Sequence, residues 1–382
     1  MNRIYLDNAA TTPIDKEVIA AMTHVMENFY GNPSSIHAQG REVRTLIERS
    51  RKTVSSLLNA SPAEIFFTSG GTEADNTAIR CGIQAFNIKH AITSKIEHHA
   101  VEHTLEMLLK QGIIEKLSFV NIDSKGNIDY KHLEELLSTN DRSFVSLMHA
   151  NNEIGTLTDM EKVGDLCEKY DAIYHADTVQ TMGHYKHDVK KLKVHFLVCA
   201  AHKLHGPKGV GFLYVNSSIK IAPMIFGGAQ ERNMRGGTEN VYGIVGLAKA
   251  LELAYTDMEA HQSYVQNLKD YLKNRLKEEI EDISFNGETD ADKSLYTVLN
   301  VSFPAMEMAD MLLFNLDING ISASGGSACS SGSNIGSHVL NGIGADPKRP
   351  SVRFSFSKYN TIEELDKVVE EVKKLVAQNV GA

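Results

Sequence analysis

Five short stretches of this chain carry residues able to do chemistry, and each follows an apolar run. "EIFFT" (64–68) leads into "SGGTEADN", with Gly71 and Thr72 opening a helical pattern. "HAITS" (90–94) leads to His98 and His99, "SFVSLMHA" (143–150) to Asn151 and Asn152, "DAIYHA" to Asp177 and Gln180, and "HFLVCAA" (195–201) to His202 and Lys203. Singly, each has a plain explanation: a turn glycine, a core histidine, a turn asparagine, a helix cap. Together they offer an amine, a carboxylate, imidazoles, amides and a helix start able to hold an anion. A resident metal is not expected, because a lysine repels cations and no HExxH-like spacing occurs. The glycine turn is not a Walker loop, since no Gly-Lys-Ser/Thr follows it.

The elements that position these residues read as an α/β protein. Seven short apolar runs, ending with "KLSFV" (116–120) and "GVGFLYV" (209–215) added to the five above, alternate with helical patterns. That spacing predicts one mainly parallel, seven-stranded sheet, and ligands bind such sheets at the carboxyl ends of the strands. Residues 41–58 place Val43, Leu46, Ile47, Val54, Leu57 and Leu58 on one helical face. The last third changes character. One long helix is expected near 242–281, then "SLYTVLNVSF", the helix "MADMLLFNLD", a Gly/Ser-rich stretch, the alternating strand "SVRFSFS" (351–357) and a final amphipathic helix. The predicted division is a large domain over 12–255 and a smaller α+β domain formed by 1–11 with 256–382.

An anion cradle, a reactive amine and one buried carboxylate suit pyridoxal 5'-phosphate. Its phosphate takes the cradle, its aldehyde takes Lys203, and its ring nitrogen takes Asp177. Lys203, two residues past a strand and between two histidines, thereby gains a reason for its place.

Bulk properties agree with a water-soluble enzyme. The chain has 382 residues, 42% hydrophobic and 23% charged, with a formal net charge of -9. An acidic balance argues against nucleic acid or an anionic membrane as a direct partner. No apolar run reaches membrane-span length, and the first residues lack a signal-peptide layout, so a cytoplasmic location is expected. Among the four cysteines, Cys81, Cys167 and Cys199 lie in apolar contexts and read as buried, inert thiols. Cys329 sits in "SASGGSACSSGSNIGS" (322–337), whose composition predicts a mobile loop and a reactive thiol.

The stretches "YLDNAATTP", "GNPSS", "FTSGGTEADN", "HANNEIGT", "YHADTVQ", "HKLHGPKG", "RGGTENV", "SGGSACSS" and "VRFSF" span nearly the whole chain. With them the sequence resembles the cysteine desulfurases of the NifS/IscS type, in the class V aminotransferase group of fold-type I pyridoxal phosphate enzymes. The resemblance implies a role for each position. Lys203 is the lysine that condenses with the cofactor, Asp177 pairs with its ring nitrogen, Gln180 reaches the ring hydroxyl and His98 stacks on the ring. Gly71, Thr72 and His202 hold the phosphate, and Thr238 reaches the phosphate of a neighbouring subunit in a homodimer. Asn152 contacts cofactor and substrate, Arg353 binds the substrate carboxylate, and Cys329 accepts sulfur from L-cysteine as a persulfide, leaving L-alanine. A selenocysteine lyase or an aminotransferase on the same scaffold is the alternative.

Relatives commonly carry Ser-Gly where this chain has Ala200-Ala201. That removes one phosphate hydrogen bond, worth about 1–3 kcal/mol if nothing replaces it. A second, milder departure is Gly-Gly-Thr in the cradle in place of Gly-Ala-Thr. The implied onward partner is a sulfur-acceptor protein, either an iron–sulfur scaffold or a tRNA thiouridylase. The chain stops soon after its last helix, without the longer tail common in scaffold-feeding relatives, which favours tRNA thiolation or another dedicated acceptor.

Overall fold

The computed structural model describes residues 3–139, 142–306, 311–325 and 336–380. In chain order the first elements are β1 (Ile4–Tyr5), α1 (Lys16–Asn28), α2 (Ala38–Leu57), β2 (Ile65–Thr68), α3 (Gly71–Ala85), β3 (His90–Thr93), α4 (His99–Lys110) and β4 (Lys116–Phe119). Then come α5 (Tyr130–Ser138), β5 (Ser143–Ser146), α6 (Met160–Lys169), β6 (Ile173–Ala176), β7 (Phe196–Ala200), β8 (Gly211–Val215) and α7 (Val241–Thr256). The remainder is α8 (Met258–Glu279), β9 (Ser284–Asn286), β10 (Val298–Ser302), α9 (Met311–Ile318), β11 (Ile321–Ser322), α10 (His338–Gly342), β12 (Ser351–Ser355) and α11 (Ile362–Val380).

All seven predicted strands join one sheet, in the order β2-β8-β7-β6-β5-β3-β4. Only β8 runs against the rest, pairing antiparallel with both β2 and β7. Strand side chains alternate between two buried faces. Phe196 and Val198 face α3 and α4 with Ala78, Ile83 and Leu105. Leu197 and Cys199 face the opposite layer, where α2, α5, α6 and α7 contribute Val54, Leu133, Val163 and Leu247. Cys81, Cys167 and Cys199 are buried, as their apolar contexts implied.

A second core gathers Ile4, Leu6, Leu272, Val301, Leu316, Phe354 and Val368 around the antiparallel sheet β12-β10-β9. β1 pairs in parallel with β11, tying the start of the chain to this core. One expectation is corrected. The helix foreseen near 242–281 is two helices, because Asp257 leaves the helical conformation between α7 and α8. No helix of the described residues is long and apolar enough to cross a membrane.

Candidate active site

Because β8 alone is reversed, β2, β3, β5, β6 and β7 all end on the same edge of the sheet. The chemistry-bearing residues follow those ends. Nine of the predicted site residues line one cavity of about 220 Å³: Gly71, Thr72, His98, Asn152, Asp177, Gln180, His202, Lys203 and Arg353. Ala200 lines it too. Thr238 does not. It lines a separate pocket with Ser69 and Arg235. Cys329 lies outside the described residues.

Lys203 follows β7 in a single 3-10 turn. Its Nζ donates to the carbonyls of Ala9 and Ala10 at 2.5 and 2.8 Å. The segment that supplies those carbonyls is laced to the lysine turn. Thr12 N–H and Oγ1 both donate to the His202 carbonyl at 2.9 Å, and His205 N–H donates to Thr12 Oγ1 at 2.8 Å. His202 Nδ1 and Thr11 Oγ1 share a 3.2 Å hydrogen bond. The "DNAATTP" stretch is therefore a clamp on the lysine, and Gln180 joins it by donating to the Ala9 carbonyl at 3.1 Å.

The start of α3 is built to take an anion. First-turn N–H groups of a helix lack intrahelical partners, and Gly70 provides no side chain to cap them. Gly71 lets the turn sit close to the cavity wall, since a Cβ there would lie 2.8 Å from Val179 Cγ2. The acidic Glu73 in the same turn is bound by Arg235 at 3.0 and 3.1 Å, which neutralises the charge that would oppose an anion.

Asp177 is buried at the end of β6 and accepts from Val179 N–H at 2.8 Å. Burial pushes its carboxyl pKa up, while His98 and Lys203 pull it back down. His98 caps α4, its Nδ1 accepting from Ala100 N–H at 3.1 Å, and burial holds its imidazole below the usual histidine range. Behind Asp177 stands a second buried carboxyl, Asp75, raised well above its ordinary range by burial and then by Asp177 and Glu97. Asp75 Oδ1 lies 3.3 Å from His175 Nε2. The pair is misaligned, and neither atom has a hydrogen-bond partner among the described residues. Glu97, also buried, is pushed up to about 8 by burial, and its Oε1 accepts from Met148 N–H at 3.0 Å.

Arg353, on β12, is almost fully buried. It donates to the Asn152 carbonyl at 2.8 Å and to Asp7 Oδ1 at 2.9 Å. Its Nε is buried and has no hydrogen-bond partner among the described residues. Asn151, beside Asn152, is structural: its side chain accepts from Glu153 and Ile154 N–H and donates to the Ile96 carbonyl.

An uncapped helix start, an amine, an imidazole and a buried carboxylate form a donor set that fits a phosphorylated, aldehyde-bearing aromatic cofactor. Residues 4–368 match the family described as aminotransferase class-V. The chain belongs to that family. It is 41% identical over 377 residues to a protein of Dictyoglomus turgidum named cysteine desulfurase IscS, covering 98% of this chain and 94% of that one. A solved structure described as a NifS-like protein superposes with a TM-score of 0.90 at 35% identity, covering 98% of this chain and 99% of the other. A structure described as SspA in complex with cysteine superposes with a TM-score of 0.81 at 30% identity, covering 94% of this chain and all of that one (100%).

The acidic supports Asp7, Asp75 and Glu97 were not singled out from the sequence. Two of them stand inside stretches already notable, "YLDNAATTP" and "FTSGGTEADN", and Glu97 directly precedes His98.

Proposed function

We propose that the chain is a cysteine desulfurase that uses pyridoxal 5'-phosphate to move sulfur from L-cysteine to Cys329, releasing L-alanine. The observation that carries this reading is the convergence of Lys203, His98, Asp177 and Arg353 on one cavity beside the uncapped start of α3. The likeness to proteins named cysteine desulfurase, at 41% identity over nearly the full chain, supports it. The structural neighbour described as holding cysteine fits the same substrate.

The cofactor, when bound, supplies an aldehyde for amines and a protonated ring that accepts the electron pair of the substrate Cα–H bond. The residues of the chain do the rest. The first turn of α3, with Thr72, takes the phosphate, and Asp177 holds the ring nitrogen's proton, a charge that also favours its own ionised form. Lys203 carries the amine and then moves the Cα proton. His98, kept neutral by burial, can accept a proton in turn. Arg353, which lines the cavity, supplies the guanidinium for the substrate carboxylate. The Cys329 thiolate attacks the substrate sulfur, the Cβ–S bond breaks, and the balance is cysteine plus enzyme thiol giving alanine plus enzyme persulfide. An acceptor protein, an iron–sulfur scaffold or a tRNA-thiolating enzyme, then takes the outer sulfur.

Thr238 lines a pocket other than its own chain's cofactor cavity, and we assign it to the phosphate of a second copy in a homodimer. We also keep the division into 12–255 and 1–11 with 256–382, on the two separate cores. The deciding test is to mix the purified protein with L-cysteine and a reductant and to quantify alanine and sulfide together. Equal amounts are expected. Alanine or keto acid without sulfide sinks the reading.

A further inference from the structure

Next to His98 in the chain, but apart from the residues assigned to the cofactor, three side chains converge. His99 and Glu102 sit one turn apart on α4, and His338 opens α10. One ligating atom from each lies within 4.8 Å of the others. His99 Nδ1 is 3.3 Å from Glu102 Oε2, and the His99 and His338 ring centroids are 4.3 Å apart. All three residues are half-buried, reachable by a small ion yet partly shielded from water.

We propose that His99, Glu102 and His338 form a three-ligand site for a divalent transition ion of the zinc class. Two imidazoles and a carboxylate are a ligand set that zinc takes, leaving a position for a fourth donor, and one that magnesium and calcium do not favour. The tautomer of His338 is set for the task. Its Nε2 lies 2.8 Å from the Glu97 carbonyl, which accepts only if that nitrogen carries the hydrogen. Nδ1 is then a bare lone pair, and it is buried with no hydrogen-bond partner among the described residues. A ligating histidine that donates its other ring N–H to a backbone carbonyl is the usual arrangement around a metal.

The site also stands on rigid supports. Val339 of α10 and Ile343, just after it, pack against Ile96, which precedes α4, and against Ile154. Ser337 caps α10 and donates to Glu153 Oε2 at 2.5 Å. On α4, His103 stacks on His99 at 4.7 Å and holds its ring plane. The nearby trio Asp75, His98 and Asp177 carries no such proposal, because His98 and Asp177 are already assigned to the cofactor. His99 and His338 line the cofactor cavity, so a bound ion would meet incoming cysteine, whose thiolate is a suitable fourth donor.

The test is a zinc titration of the holoenzyme carrying Cys329→Ser, against a chromophoric chelator, so that the reactive thiol does not compete. One zinc per chain is expected. His338→Ala and Glu102→Gln, each made in that background, are expected to weaken binding by about tenfold or more. Cobalt in place of zinc is expected to show ligand-field bands without thiolate charge transfer. The circular dichroism and cofactor absorbance of each variant check that it is folded. Absence of zinc binding in the Cys329→Ser protein, or equal affinity in both folded variants, overturns the site. Because the readout is binding, the result does not depend on whether the chain proves to be a desulfurase.

Discussion

The proposed mechanism assigns sulfur transfer to one thiol, Cys329. Cys81, Cys167 and Cys199 are buried, and burial raises all three of their pKa values, so none of them is available as a thiolate. Cys329→Ala is therefore expected to remove sulfide production while leaving the cofactor bound through Lys203. Sulfide release at the parent rate, with the cofactor absorbance intact, would remove Cys329 from the mechanism. A second residue-scale prediction concerns the buried pair of Arg51 and Glu231. Two 2.8 Å bonds join them, and Glu231 Oε2 also accepts from Phe67 N–H at 2.8 Å, at the foot of the α3 turn. Truncating Glu231 removes the buried, two-bond partner of the guanidinium and the acceptor of Phe67 N–H, leaving Arg51 only the half-exposed Glu48 at its Nε and the Ile65 carbonyl. Glu231→Ala is expected to lower unfolding free energy by about 3–5 kcal/mol in denaturant titration. A loss below about 1 kcal/mol would show that the pair is solvated, as surface pairs are.

At the scale of elements, the site depends on how closely β7, β8 and the turn before α3 approach. Gly211 starts β8, and a Cβ there would lie 2.2 Å from the Cys199 carbonyl oxygen and 2.9 Å from Gly70 Cα. Both are backbone atoms, so the strand pair must open or the cradle turn must shift. Gly211→Ala is expected to destabilise by about 1–3 kcal/mol and to weaken cofactor retention. Gly336→Ala, where a Cβ would meet nothing within 4 Å, serves as the control and is expected to stay within about 0.5 kcal/mol of the parent. Gly211→Ala matching that control in melting and cofactor content would refute the close-approach argument. Much of this level was readable from the chain. The seven strands announced themselves because a sheet buried on both faces needs uninterrupted apolar runs, and Lys203, Asp177 and His98 stood out by following those runs. The break at Asp257 did not, because apolar residues continue through α7 and α8 with no proline or glycine between them. β1 and β11 are two residues each, too short for any alternation to register. Asp75 and Glu97 were missed because a carboxylate in sequence looks solvated, and their burial comes only from the packing of α3 and α4 against the sheet. The pairing of Arg353 with Asp7 spans 346 positions, a separation no local pattern encodes.

For the whole molecule, the distribution of buried histidines sets the response to acid. His90, His149, His184, His195, His202 and His205 are depressed to about 4, and His175 and His187 to about 3, in every case first by burial. Between their folded values and the ordinary 6.5, the unfolded chain binds more protons than the folded one. Stability from these groups is complete above pH 6.5 and is lost as pH falls toward 4. Four buried carboxyls, Asp75, Glu97, Asp177 and Glu153, are raised and act in the opposite sense, since the folded state holds their protons more tightly. Eight histidines against four carboxyls leave the first effect dominant across that window. The melting midpoint is thus expected to fall steadily between pH 6.5 and pH 4.5. His175 is the sharpest probe, since its Nδ1 shares a 2.8 Å bond with Ser146 Oγ while its Nε2 has no partner among the described residues. A glutamine there keeps a polar group toward Ser146 but takes up no proton. His175→Gln should flatten the acid limb of the stability profile, even where it lowers stability at pH 8. A midpoint that is flat or rises on going from pH 6.5 to pH 4.5 in the parent chain would mean that the buried carboxyls outweigh the histidines. An acid limb equally steep in the variant would mean that His175 is protonated in the folded state.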